Sequence, residues 1–221
     1  MAFIRAPQNT CGKRGYLELI VGPMFSGKTS QLQNAAVRYG YANVSCIVIK
    51  YEGDTRYSDE PLVINHARQV CEAVSCRKLS DIEYLVDEHD VVLIDEGQFF
   101  PDLHEFCAKY ADAGKRVIVA ALDATFKRES FEQVCSLVPL ADKVTKLRAV
   151  CVQCGQDAIF SFRDSASQEL TIVGGADQYR ALCRDCFCAE EALLHDKLSG
   201  EGDAHRQEVT HCGTATGVFG P

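Results

Sequence analysis

Gly22-Pro-Met-Phe-Ser-Gly27-Lys28-Thr29 follows directly on the apolar run Tyr16-Leu-Glu-Leu-Ile-Val21, and this join decides the fold. It satisfies G-x-x-x-x-G-K-[ST] with a strand expected before it and a helix after it, the context the pattern requires. Two glycines let the backbone curl so that successive N–H groups point inward at a phosphate, and the helix that follows adds the positive end of its dipole. Lys28 is then placed to reach the β- and γ-phosphates, and the Thr29 hydroxyl to ligate Mg²⁺. The whole stretch (Gly22, Pro23, Met24, Phe25, Ser26, Gly27, Lys28 and Thr29) is the candidate loop for a nucleoside triphosphate.

Working outward, strand-like segments recur at 16–21, 44–50, 90–95, 116–122 and 143–148, and helix-like segments at 28–39, 80–88, 101–112 and 130–138. Alternation of this kind implies crossover connections and a mostly parallel sheet. The run Arg116-Val-Ile-Val-Ala-Ala-Leu122 is continuously apolar after its first residue, as expected where helices cover both faces. Pro101 is expected at the first helical position, where its missing N–H costs nothing. Near residue 150 this pattern gives way to a cysteine-framed segment, 151–186, followed by a short helix over 187–197. The expected organisation is a flexible lead-in (1–15), an α/β nucleotide-binding domain (16–149), a small domain over the site (150–197) and a mobile tail (198–221).

A chain of 221 residues suits one sizeable α/β domain with a small appendage. With 47% apolar and 24% charged residues it is globular rather than disordered. No apolar run is long enough for a membrane span, and Met1-Ala-Phe-Ile-Arg-Ala-Pro7 has no apolar core of a secretory signal, so a cytoplasmic protein is expected. The net charge of −8 weighs against a polynucleotide as bulk ligand, while a small anion needs only a few local cations. Of the twelve cysteines, eight are scattered, and the several that fall within apolar runs read as small buried thiols of a reducing compartment.

Asp95 and Glu96 follow the apolar strand Val91-Val-Leu-Ile94. A carboxylate at the C-terminal end of a buried parallel strand sits at the rim where α/β sheets bind ligands, and Asp95 there can complete the Mg²⁺ coordination beside Thr29. Adjacent carboxylates on a strand end point to opposite sides, so Glu96 can face a second substrate and act as general base toward an alcohol. The plainer alternative makes Glu96 an exposed helix-entry residue. Arg56, in Asp54-Thr-Arg-Tyr-Ser58, is the candidate cation for the transferring phosphoryl group, with Lys127 and Arg128 as weaker ones whose ordinary state is solvated surface.

Cys151-Val-Gln-Cys154 and Cys183-Arg-Asp-Cys186 form two knuckles whose four sulfurs suit a closed, structural zinc site. A redox pair or unrelated buried thiols are the alternatives. The intervening segment is too poor in large apolar residues for a core of its own, which suggests a lid contacting ligand through its backbone. On the residues alone, two other functions stay open. One is an ATP-driven nucleic-acid-binding protein of the recombinase type, with the cysteine ribbon as docking module. The other is a zinc-stabilised interaction protein that binds nucleotide without turnover.

Taken together, these motifs resemble the cytosolic, zinc-containing (type II) thymidine kinase family over nearly all of 15–190. The likeness rests on the loop at 22–29, Asp-Thr-Arg-Tyr-Ser at 54–58 and Asp-Glu-Gly-Gln-Phe-Phe at 95–100. It rests further on Ala-Leu-Asp-Ala-Thr-Phe at 121–126, both cysteine pairs and Gly-Gly-Ala-Asp-Gln-Tyr at 174–179. The resemblance implies a phosphate-loop NTPase fold of the RecA-like kind and transfer of the γ-phosphate of ATP to the 5′-hydroxyl of thymidine or deoxyuridine, as in pyrimidine salvage. It implies Glu96 as general base. Lys28, Thr29, Asp54, Thr55, Arg56, Asp95 and Gln98 would serve the nucleotide and Mg²⁺. Met24, Phe99, Phe126, Phe131, Leu170, Thr171, Ile172, Val173, Gly174 and Tyr179 would surround the nucleoside, the 170–174 loop through its main chain. It also implies a structural Zn²⁺ on Cys151, Cys154, Cys183 and Cys186, a homotetramer, and feedback inhibition by thymidine triphosphate. Ala124 stands where many relatives have glycine, and residues 198–221 match nothing in the family pattern.

Overall fold

The computed structural model describes residues 14–53, 62–64, 70–163 and 178–199. In chain order its elements begin with β1 (Tyr16–Val21), α1 (Lys28–Tyr41) and β2 (Cys46–Tyr51). A hairpin of β3 (Leu62–Ile64) and β4 (Val70–Glu72) follows, then β5 (Val74–Cys76), α2 (Glu83–Val86), β6 (Val91–Ile94), α3 (Leu103–Asp112) and β7 (Arg116–Ala121). Next come α4 (Glu132–Cys135), β8 (Lys143–Lys146), β9 (Ala149–Val150), β10 (Asp157–Ala158), β11 (Phe160–Arg163), β12 (Tyr179–Leu182) and α5 (Arg184–Ser199).

Six of these strands form one sheet in the order β5-β2-β6-β7-β1-β8, and every pair in it is parallel. The register sets Val21 beside Ala121 and Ile94 beside Val119, so β1, β6 and β7 end at one edge. That edge is where open α/β sheets place their ligands. Strand alternation divides the core in two. On one face Ile20, Val48, Val91, Leu93, Ile118 and Ala120 pack against Leu32, Ala35 and Ala36 of α1. On the other, Leu17, Leu19, Ile47, Ile49, Val92, Ile94, Val117 and Val119 meet side chains of α2, α3 and α4, among them Val86, Leu103, Phe106, Tyr110 and Val134. The fold is therefore α/β with helices on both faces, as the alternation of segments implied. All four residues of β6 are at most 2% exposed, which is why this strand reads as an uninterrupted apolar run. Burying each such side chain contributes roughly 1.5–3 kcal/mol.

A third, smaller core gathers Ala149, Cys151, Ala158, Phe162, Ala181, Leu182 and Phe187 from β9–β12 and α5. Here β9 pairs antiparallel with β10, and β11 with β12.

Several boundaries differ from expectation. The strand at β5 and the β3–β4 hairpin are additional to the five strands expected. The helix expected at 80–88 is a 3₁₀ turn (Leu79–Ile82) running into α2, and that at 130–138 shortens to α4 followed by a 3₁₀ turn (Val138–Leu140). The last helix begins at Arg184, earlier than expected, so that Cys186 lies in its first turn. Pro101 precedes the helix instead of opening it, because α3 starts at Leu103 with Asp102 at its N-cap. The Asp102 carboxylate accepts from the N–H groups of Leu79 (3.1 Å) and Ser80 (2.9 Å), tying the 3₁₀ turn to α3 instead of capping its own helix. Among the scattered cysteines, Cys76 and Cys107 are buried, whereas Cys135 and Cys188 are exposed. The expected lead-in, apart from Arg14 and Gly15, and the tail beyond Ser199 lie outside the described residues.

Asp102→Ala strips an acceptor from two backbone donors at once. We expect it to lower stability by about 1–2 kcal/mol, read as a fall in the urea midpoint with an unchanged slope.

Candidate active site

The glycine-rich turn between β1 and α1 is shaped by two different constraints. Gly22 has φ +151°, and a Cβ there would sit 2.6 Å from the carbonyl oxygen of Leu147, so both the backbone and the space exclude a side chain. Gly27, the N-cap of α1, has φ +85° with open space around it, so only the left-handed backbone demands glycine. Ser26 Oγ and Lys28 Nζ each donate to the carbonyl of Pro23, at 2.8 Å. The N-terminus of α1 has no side-chain cap and no acidic residue in its first turn. Its positive dipole end is thus uncompensated by a neighbouring carboxylate on the same helix.

Across the sheet edge, Asp95 is 6% exposed and accepts a hydrogen bond from Thr29 Oγ1 at 3.2 Å. Glu96 takes φ 53°, ψ 42°, left-handed values rare for a residue with a side chain, and caps the 3₁₀ turn Gly97–Phe99. The chain thus turns immediately after β6, which ends at Ile94. Glu96 is 9% exposed, which disposes of the alternative of an exposed helix-entry residue. Gly97 is glycine for a packing reason: a Cβ there would come within 2.7 Å of Val119 Cγ1. Gln98, buried, donates through Nε2 to Glu96 Oε2, and its Oε1 accepts from the Leu122 N–H at 2.9 Å. Gln98, grouped with the nucleotide ligands in the sequence, is hydrogen-bonded to the Glu96 carboxylate.

An open cleft lies between these elements, lined by Met24, Phe25, Gly27, Lys28, Thr29, Ser30, Glu96 and Leu122. It unites a lysine, a hydroxyl and a buried carboxylate drawn from two distant segments. Ser30 and Leu122 were not singled out from the sequence, although each adjoins a residue or strand that was. Phe99 and Phe131 are not among the lining side chains. Phe99 stacks on Tyr51 with centroids 5.3 Å apart, and Phe131 packs against the main core at the start of α4. Phe126 is half-buried beneath the guanidinium of Arg163, and Tyr179 is buried in β12 opposite Arg163. Lys127 and Arg128 are exposed, Arg128 pairing with Glu191 at 2.9 Å. Asp54, Thr55, Arg56 and the whole run Leu170, Thr171, Ile172, Val173 and Gly174 lie outside the described residues.

The four cysteines of the two knuckles converge. The sulfurs of Cys151, Cys154, Cys183 and Cys186 all lie within 4.8 Å of one another, with Cys154 and Cys183 at 3.5 Å. A tetrahedron of thiolates around zinc has sulfur–sulfur edges of about 3.8 Å from Zn–S bonds near 2.3 Å, so the donor set fits such an ion. At Cys151, burial pushes the thiol up, but backbone N–H donors from Cys183, Cys154 and Gln153 outweigh it and bring the pKa down to about 6. The Cys186 thiol is held up, chiefly by its hydrogen bond with the Cys183 sulfur. This small core touches the glycine-rich turn twice: the Met24 N–H donates to Ser161 Oγ at 2.9 Å, and Phe25 packs against the small core.

The family model described as thymidine kinase matches residues 15–187. The chain belongs to the thymidine kinase family. The thymidine kinase of Myxoma virus (strain Lausanne) is 46% identical over 173 residues, which cover 78% of this chain and 96% of the viral protein. The cytosolic thymidine kinase of Bos taurus is 45% identical over 181 residues, 82% of this chain and 75% of the bovine one. Thymidine kinase 1 of Dictyostelium discoideum is 43% identical over 180 residues, 80% of this chain and 79% of its own. The span common to the thymidine kinase family thus runs from just before β1 to Phe187 in α5, taking in the cleft and all four clustered cysteines.

The two glycines of the turn are expected to respond differently. Gly27→Ala meets only left-handed strain and should cost about 1–2 kcal/mol. Gly22→Ala adds a clash with a backbone carbonyl and should cost more. Denaturant melts of the two variants check the order.

Proposed function

We propose that this protein transfers the γ-phosphoryl group of ATP to the 5′-hydroxyl of thymidine, forming thymidine monophosphate and ADP. The observation that carries the reading is the buried Glu96 carboxylate opening on the same cleft as Lys28 and Thr29, in a chain of the thymidine kinase family. A carboxylate within hydrogen-bond reach of an alcohol takes its proton as the oxygen attacks. The 5′-oxygen bonds to Pγ, the bond from Pγ to the bridging β-phosphate oxygen breaks, and ADP departs with that electron pair. Gln98 holds the Glu96 carboxylate against the end of β7 through Leu122, so the base is oriented before substrate arrives. Lys28 and the first-turn amides of α1 stabilise charge on the phosphoryl oxygens.

Thr29 and Asp95, a hydroxyl and a carboxylate 3.2 Å apart, are hard oxygen donors of the kind Mg²⁺ prefers. The ion, when bound, neutralises charge on the β- and γ-phosphates. Asp54, Thr55 and Arg56 are assigned to the same phosphates. Met24, Phe99, Phe126, Phe131 and Tyr179 are assigned to the nucleoside, with the 170–174 loop gripping thymine through backbone groups. One methyl is worth only about 1–3 kcal/mol of discrimination, so deoxyuridine should also be accepted. Cys151, Cys154, Cys183 and Cys186 would hold a structural Zn²⁺ with no open position. We further infer a cytoplasmic homotetramer that thymidine triphosphate inhibits and that binds neither nucleic acid nor membrane. No helix among the described residues is long and apolar enough to cross a membrane.

Incubation with ATP, Mg²⁺ and each of the four natural deoxynucleosides tests the reading. Thymidine should be phosphorylated and deoxyadenosine and deoxyguanosine not, whereas no nucleotide product from thymidine would defeat it. Glu96→Gln should lower kcat by roughly 10²–10⁴ with ATP affinity nearly unchanged. Undiminished turnover would remove Glu96 from the role of base. Cys154→Ser should abolish tight binding of one metal ion per chain and lower the melting temperature, both measurable on the purified protein.

A further inference from the structure

Strand β11 presents two unlike faces. Phe160 and Phe162 pack against Phe187 in the small core, at centroid separations of 5.1 and 5.3 Å. Ser161 and Arg163 therefore project from the opposite side of the strand. Both are buried, at 7% and 2% exposure, and each meets a different part of the large domain. Ser161 Oγ accepts the Met24 N–H at 2.9 Å, and the Arg163 guanidinium lies 3.6 Å from the centroid of the Phe126 ring.

A buried hydroxyl and a buried guanidinium are costly to desolvate, and an apolar strand would pack the two domains together more cheaply. Each of these polar groups meets a specific partner instead. Met24 immediately precedes Phe25, whose φ of 65° is held in the left-handed region. Without the serine acceptor, the Met24 N–H would be a buried donor beside the left-handed Phe25. Arg163 stacks its planar cation on an aromatic face, an interaction that a lysine reproduces poorly.

The geometry points to Ser161 and Arg163 as positioning residues that act as a pair: from one face of one short strand they set the triphosphate turn and the Phe126 side of the site at a fixed separation. The inference rests on the thymidine kinase reading for the roles of those two parts. Phosphoryl transfer needs donor and acceptor held in near-attack geometry, and a displacement of about 1 Å can cost roughly a hundredfold in rate.

Kinetics and direct binding of ATP and thymidine to Ser161→Ala, Ser161→Thr, Arg163→Leu and Arg163→Lys test this, with melting temperature and metal content followed in parallel. Ser161→Ala should raise the KM and Kd for ATP about tenfold and leave those for thymidine within about twofold, and Ser161→Thr, which keeps the hydroxyl, should recover most of the loss. Arg163→Leu should do the reverse, weakening thymidine about tenfold and ATP little, with Arg163→Lys in between. If both ligands weaken together along with metal loss or a lowered melting temperature, the strand merely holds its domain together and the inference falls. It falls equally if neither ligand is affected. If the unaltered protein makes no thymidine monophosphate, the functional reading fails first, and ATP binding to Ser161→Ala still decides whether Ser161 sets the turn.

Discussion

The hydrogen bond from Thr29 Oγ1 to Asp95 Oδ1, at 3.2 Å, joins two segments whose strands are not neighbours in the sheet. β7 lies between β1 and β6, so a residue after β6 and one in the first turn of α1 meet only by reaching past the end of β7. The strand ends in Ala120-Ala121, both fully buried. Parallel pairing brings all three carboxyl ends to one edge. Everything else at the site is arranged around that edge: the uncapped start of α1, the reversal at Glu96, and Gln98 anchored on the backbone of Leu122. Had any of the three strands run antiparallel, these groups would lie at opposite ends of the sheet.

Two of the four non-glycine residues with positive φ among the described residues, Phe25 and Glu96, sit at the cleft. Conformations of this kind cost of order 1–3 kcal/mol each and persist only where the surroundings enforce them. Phe25 is held by packing against the small core, and Glu96 by the hydrogen bond from Gln98 and by the close seat of Gly97 on Val119. Asp95 accepts from the α1 hydroxyl of Thr29, while Glu96, held by Gln98, lines the cleft.

Much of this arrangement was legible in the amino-acid sequence, because its signals are local. The glycine spacing at 22–27, the apolar strand before Asp95 and the two-residue spacers between cysteines each report on a few consecutive residues. Elements of high intrinsic contrast were read well and their ends less so. Pro101 was expected to open a helix because proline suits that position, yet the helix starts later, with the Asp102 carboxylate engaged by Leu79 and Ser80. Strand β5 has only three residues and alternates weakly, which leaves no periodic signal to find. The resemblance groups Gln98 with the nucleotide, and nothing in a sequence reveals that its amide also reaches Glu96. Ser161 escaped notice for a similar reason: its partner, Met24, lies 137 residues away, and a serine within a phenylalanine-rich strand reads as ordinary alternation.

In the proposed reaction the glycine-rich turn and the Glu96 carboxylate act together at the sheet edge. A crystal structure of the protein with thymidine, Mg²⁺ and a non-hydrolysable ATP analogue tests it most directly. Phosphates should be seated over the start of α1 beside Lys28, with the thymidine 5′-oxygen within about 3 Å of the Glu96 carboxylate. Thymidine bound elsewhere, or a 5′-oxygen facing away from Glu96 with the carboxylate still turned to Gln98, would contradict it.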